Sequence, residues 1–117
     1  MASPNQVLVN RYMRKDVLGF HVENVEAFGD TIVGLSVGDA DYLRLVPDRE
    51  YGSLEERNRD EVKVLLEDRS IYIMEGEARL KWKHGIGRVF EGKPFKSESF
   101  VRTSFTFRDV IETRRKL

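Results

Sequence analysis

Short runs of β-branched and aromatic residues, separated by Gly, Asp, Pro or clusters of charge, set the rhythm of this chain. Eight runs have strand length: Gln6–Tyr12, Gly19–Glu23, Thr31–Val37, Tyr42–Val46, Val62–Leu66, Ile71–Met74, Leu80–Ile86 and Val101–Val110. This pattern predicts an all-β domain. Eight strands are the number that a two-sheet jelly roll, or cupin-like double-stranded β-helix, requires. Two stretches break the rhythm. Pro47–Asp60 is polar and charged, with a short helical turn expected around Leu54–Asn58, and Gly87–Phe100 mixes Gly, Pro and Lys with aromatics. Loops of this length in a small domain tend to carry function, and both are expected at a rim of the barrel.

Composition narrows the picture without changing it. The 117 residues make one domain, 1–117, and the strands with their connections leave no room for a separate lid or helical layer. No apolar run approaches the roughly 18–20 residues that span a bilayer, so no membrane partner is expected. The N-terminus lacks the basic and apolar regions of a secretory leader. With no cysteine, disulfides and thiolate metal sites are excluded, which fits an intracellular location, cytoplasm or nucleus. A formal net charge of zero argues against a general nucleic-acid binder, so any such contact must be local or assisted.

The candidate chemistry begins with the two histidines, His21 and His84. His21 and Glu23 are two apart, a spacing that puts both side chains on one face of a strand. Two imidazoles and one carboxylate, with positions left open, form the facial triad of non-haem ferrous oxygenases. The last strand then alternates Arg102, Ser104, Thr106 and Arg108 on one face with Val101, Thr103, Phe105 and Phe107 on the other. Its two arginines lie roughly 20 Å apart along the strand. Arginine recognises carboxylates bidentately and keeps its charge, so a short dicarboxylate such as 2-oxoglutarate would suit them.

At this point the chain resembles the AlkB-like ferrous, 2-oxoglutarate-dependent dioxygenases. The resemblance runs in order through Asn10-Arg11-Tyr12, His21-Val22-Glu23, Phe28 to Ile32, Leu35 to Gly38, Ser70 to Arg79, Trp82 to Ile86, and the closing R-x-x-x-x-x-R of RTSFTFR. It implies that His21, Glu23 and His84 hold Fe(II). It also implies that Arg102 and Arg108 each take a carboxylate of 2-oxoglutarate, assisted by Asn10, Tyr12 and Ser104. O2 would be the second co-substrate, and an alkylated nucleic acid or a methylated protein side chain the target of oxidative demethylation or hydroxylation. Three features depart from the family pattern. Glu23 stands where aspartate is usual, Asn24 and Val25 follow where nucleobase-oxidising members carry an acid, and no lid is apparent to grip a flipped base. Either a partner supplies the lid, or the substrate is not a base in a nucleic acid, or the chain is a truncated catalytic core. The alternative is a catalytically silent barrel acting as a binding or regulatory module.

Three basic groups complete the reading. Arg79, Lys81 and Lys83 are expected on a solvated outer face, with Leu80, Trp82 and His84 inward. Arg88, Lys93 and Lys96 are expected in a substrate-contacting loop, and Arg114 to Leu117 as a frayed end.

Overall fold

The computed structural model describes residues 4–87, 89–90, 93–94 and 96–111. Its elements, in chain order, are β1 (Gln6–Met13), β2 (Leu18–His21), β3 (Ile32–Gly38), β4 (Asp41–Pro47), α1 (Leu54–Asp60), β5 (Val62–Leu66), β6 (Ser70–Met74), α2 (Gly76–Leu80), β7 (Trp82–Ile86), β8 (Val89–Phe90), β9 (Lys93–Pro94) and β10 (Val101–Arg108). Eight strands make two four-stranded antiparallel sheets, ordered β1-β10-β3-β6 and β2-β7-β4-β5, and β8 pairs with β9 apart from them. The predicted all-β, two-sheet jelly roll is therefore what the chain forms.

Inward positions of the two sheets meet in a core of Ile32, Leu43, Leu66, Met74 and Ile86. Burial of each such side chain stabilises by about 1.5–3 kcal/mol. These residues fill the side of the barrel near β5 and β6. The opposite side, between β1 and β10 of one sheet and β2 and β7 of the other, stays open as a cavity. Outward positions of the first sheet remain apolar yet solvated: Val9 is 54% exposed, Ile71 65% and Ile73 64%.

Several expectations need correction. The segment predicted as one strand, Leu80–Ile86, is a helical turn followed by a strand, because Gly76–Leu80 coils before β7 begins at Trp82. Leu80 is exposed rather than inward, and Arg79, expected on a solvated face, is only 1% exposed. A helical turn advances side chains by about 100° each, so strand alternation misassigned that face. The second strand ends at His21, leaving Glu23 outside it. The helical turn expected in Pro47–Asp60 is α1, capped by the Ser53 hydroxyl, which accepts from the Glu56 amide at 3.1 Å. It leaves the barrel where Pro47 of β4 meets Trp82 of β7. At the opposite end of the barrel the Lys96 side chain is buried against Asp41 at 2.9 Å. Arg88 and residues 112–117 lie outside the described residues, and so does the side chain of Lys93.

Candidate metal centre and co-substrate cavity

Strand register brings the two histidines together. His21 of β2 stands directly opposite His84 of β7, with ring centroids 4.3 Å apart. Gly85 allows this approach, since a Cβ there would lie 2.6 Å from the Leu18 carbonyl oxygen and push β2 away. His84 is buried at 5% exposure. His21 lies 2.9 Å through Nδ1 from the Gly19 carbonyl. A proton on Nδ1 would donate to that oxygen and leave Nε2 free as a ligand, the usual arrangement behind a metal-bound imidazole.

Glu23 reaches both rings from beyond the end of β2. Its Oε1 is 3.4 Å from His21 Nε2 and 3.7 Å from His84 Nε2. One donor atom from each residue falls within 4.8 Å of the others. An octahedral ion about 2.1 Å from each donor would need them about 3.0 Å apart, a contraction of well under an ångström on the two carboxylate edges. Two imidazoles and a carboxylate converging on one face are a donor set that suits Fe(II). The other carboxylate oxygen accepts from Arg108 Nη1 at 2.8 Å. Hydrogen bonding to His21, then to His84, with Arg108 adding its charge, holds the Glu23 carboxyl well below the usual carboxylate range. The same contact raises the His21 pKa above its ordinary 6.5.

Behind the triad lies a cavity of about 290 Å³, walled by Asn10 and Tyr12 of β1, Arg102, Ser104 and Arg108 of β10, and Tyr72 of β6. The register sets Asn10 opposite Ser104 and Tyr12 opposite Arg102, so every residue expected at the site lines one chamber. Arg102 is 1% exposed. Its Nη2 donates to the Ser36 hydroxyl at 2.8 Å, while Nε and Nη1 are buried without a partner. Burial lowers its pKa. An enclosed guanidinium with two unmet donors is costly unless a further acceptor pairs with them. The geometry treats Arg108 differently from the expectation of two equivalent carboxylate-binding arginines. Its Nη1 donates to Glu23 and its Nε to the Gln6 side-chain oxygen, and its guanidinium lies 3.8 Å over the Phe28 ring.

The sequence reading assigned no role to Ser36, Tyr72, Gln6 or Phe28. Tyr72 shares an inward face with Ser70 and Met74, so a polar tip on that face was the available signal. Its ring crosses the sheet over Gly34, where a Cβ would stand 2.1 Å from Tyr72 Cε1. Burial pushes its phenol up to about 12. A larger open groove of about 600 Å³ lies beside α1; Lys83 pairs with Asp48 there at 3.6 Å and Arg49 with Asp60 at 2.9 Å, while Arg57 Nε is buried without a partner. The His21, Glu23 and His84 donors line the smaller chamber.

A jelly roll with this donor set and an anion-seeking arginine behind it defines a class, and the comparisons agree. The profile of the 2OG-Fe(II) oxygenase superfamily matches residues 1–108, and the chain belongs to that family. It lies on the AlkB-like side of it. Uncharacterized protein L905 of Acanthamoeba polyphaga mimivirus is 31% identical over 97% of this chain and 51% of its own length. The tRNA (carboxymethyluridine(34)-5-O)-methyltransferase alkbh8 of Xenopus tropicalis is 34% identical over 92% of this chain and 18% of its own. Among solved structures, OsALKBH1 superposes with a TM-score of 0.62 at 25% identity, over 92% of this chain and 48% of that one. The chain thus spans about half the length of the mimivirus relative and under a fifth of the other. No helix among the described residues is long and apolar enough to cross a membrane.

Proposed function

We propose that this chain is an Fe(II)- and 2-oxoglutarate-dependent dioxygenase that hydroxylates a substrate C–H bond, removing alkyl groups from an alkylated nucleic acid or a methylated protein side chain. The observation that carries this reading is the joint presence, in one chamber, of the His21–Glu23–His84 donor face and the buried, unsatisfied Arg102. His21, Glu23 and His84 would hold the iron. When bound, the metal supplies the oxidation in which 2-oxoglutarate, O2 and R–H become succinate, CO2 and R–OH. An N-hydroxymethyl product would then release formaldehyde and the free amine.

The remaining chemistry falls to the protein's own side chains. Arg102 takes the distal carboxylate of 2-oxoglutarate through Nε and Nη1, with Tyr12, Asn10 and Ser104 lining its approach. Arg108 grips one oxygen of Glu23 and thereby keeps the other aimed at the histidines. The low exposure of His84 and Arg102 strengthens these charge interactions by keeping water out. A second reading, the silent barrel, has one observation in its favour: Glu23 is paired with Arg108 at 2.8 Å.

The test is succinate formation from 2-oxoglutarate with ferrous iron and ascorbate. Turnover that disappears in His84→Ala supports the dioxygenase. No turnover in the parent, with turnover gained in Glu23→Asp, supports the silent barrel, and absence of turnover in both sinks the enzyme reading.

A further inference from the structure

One buried arginine has no part in the chemistry above. Arg79, on α2, is 1% exposed and sends its guanidinium into the loop that follows β2. Nη1 donates to the Glu23 carbonyl at 2.8 Å and Nε to the Gly29 carbonyl at 3.1 Å, while Nη2 reaches the Asn24 and Phe28 carbonyls at 3.4 Å each. One planar fork thus satisfies carbonyls at both ends of a turn. Only arginine offers five N–H groups in that spread. Glu23 lies outside the strand ladder and gains no positional support from it. We infer that Arg79 is a positioning residue: by holding the Glu23 backbone it sets where the side chain that Arg108 grips departs from the loop. The consequence for metal binding rests on the ferrous reading of the site; the anchoring of the loop does not.

The test compares the parent, Arg79→Lys, and a core control, Leu66→Val. Lysine keeps the charge but concentrates its donors at one point, so it cannot span the carbonyls of residues 23 and 29. In metal-free protein, hydrogen exchange is followed at the Phe28 and Gly29 amides, which donate to the Asn24 and Asp109 carbonyls at 3.0 and 2.9 Å. Arg79→Lys is expected to speed both by about tenfold or more while the β3 and β10 amides stay protected, as befits local opening. Mn(II) affinity, read by electron paramagnetic resonance, should weaken about 10–100-fold, the usual effect of losing a group that orients a ligand. Leu66→Val should change neither. Unchanged exchange at Phe28 and Gly29 overturns the inference. So does unchanged Mn(II) affinity in Arg79→Lys, or an equal loss in Leu66→Val. A parent that binds no Mn(II) sinks the ferrous reading instead, and the exchange result still decides whether Arg79 anchors the loop.

Discussion

Replacing Arg102 by methionine should move ligand binding and the stability of the free protein in opposite directions. Without ligand, Nε and Nη1 are buried and unpaired, and each orphaned donor costs about 1–3 kcal/mol. Methionine removes both donors at similar length. It leaves the buried Ser36 hydroxyl unpaired, at about 1–3 kcal/mol, and forfeits the guanidinium placed 5.3 Å over the Tyr12 ring, worth about 0.5–1 kcal/mol. At mid-range, about 4 kcal/mol recovered against about 3 kcal/mol lost leaves the variant about 1 kcal/mol more stable than the parent, a rise in Tm of roughly 5 °C. Binding runs the other way. Two charge-assisted hydrogen bonds to a carboxylate, at about 1.5 kcal/mol each, amount to about 3 kcal/mol, or about two orders of magnitude in Kd. Thermal melting with and without 2-oxoglutarate, in the presence of Mn(II), measures both effects, since a ligand that binds only the native state raises Tm. A fall in Tm beyond about 10 °C with 2-oxoglutarate protection retained would refute the reasoning, because Arg102 would then be a structural strut and not an anion site.

Three further predictions bear on the same chamber. Gly34→Ala drives a Cβ into the Tyr72 ring, so it should destabilise by about 1–3 kcal/mol and weaken 2-oxoglutarate binding; Gly34→Ala/Tyr72→Leu should recover stability in melting experiments, and no recovery would exclude the ring as cause. In metal-free protein, the lowered Glu23 pKa contributes stability above its ordinary 4.5 that is lost as pH falls, while the raised His21 pKa contributes stability below 6.5 that is lost as pH rises through its folded value. Urea midpoints should therefore be highest between these limits, and Glu23→Gln should flatten both flanks; a profile identical to the parent's would contradict the pairing. Because the metal must displace the His21 proton, Mn(II) affinity should climb as pH rises through that same region, and calorimetry in buffers of differing ionisation heat should register proton release.

Much of this was legible in the chain before any coordinates. Period-2 alternation located all eight sheet strands, and the alternation of β10 put Arg102, Ser104 and Arg108 on the inward face. Where the reading failed, local pattern could not see tertiary neighbours. Leu80 continued an apolar alternation into Trp82, yet the preceding residues coil into α2, and that single turn carries Arg79 inward. His21 and Glu23 do converge, but not through the pleat of one strand; the strand stops at His21, and the loop beyond it returns the carboxylate. Arg102 and Arg108 look equivalent in sequence. What separates them is that Arg108 ends its strand beside Glu23, 85 positions away in the chain, whereas Arg102 lies against Ser36 with donors to spare.

The central claim is that one chamber holds a divalent ion and 2-oxoglutarate together. A crystal structure of the protein grown without oxygen, with Mn(II) and 2-oxoglutarate, tests it most directly. The account predicts one ion about 2.1–2.2 Å from His21 Nε2, His84 Nε2 and a Glu23 oxygen, with the distal carboxylate on Arg102 Nε and Nη1. An ion bound elsewhere, or one with neither Glu23 oxygen among its ligands, would contradict it.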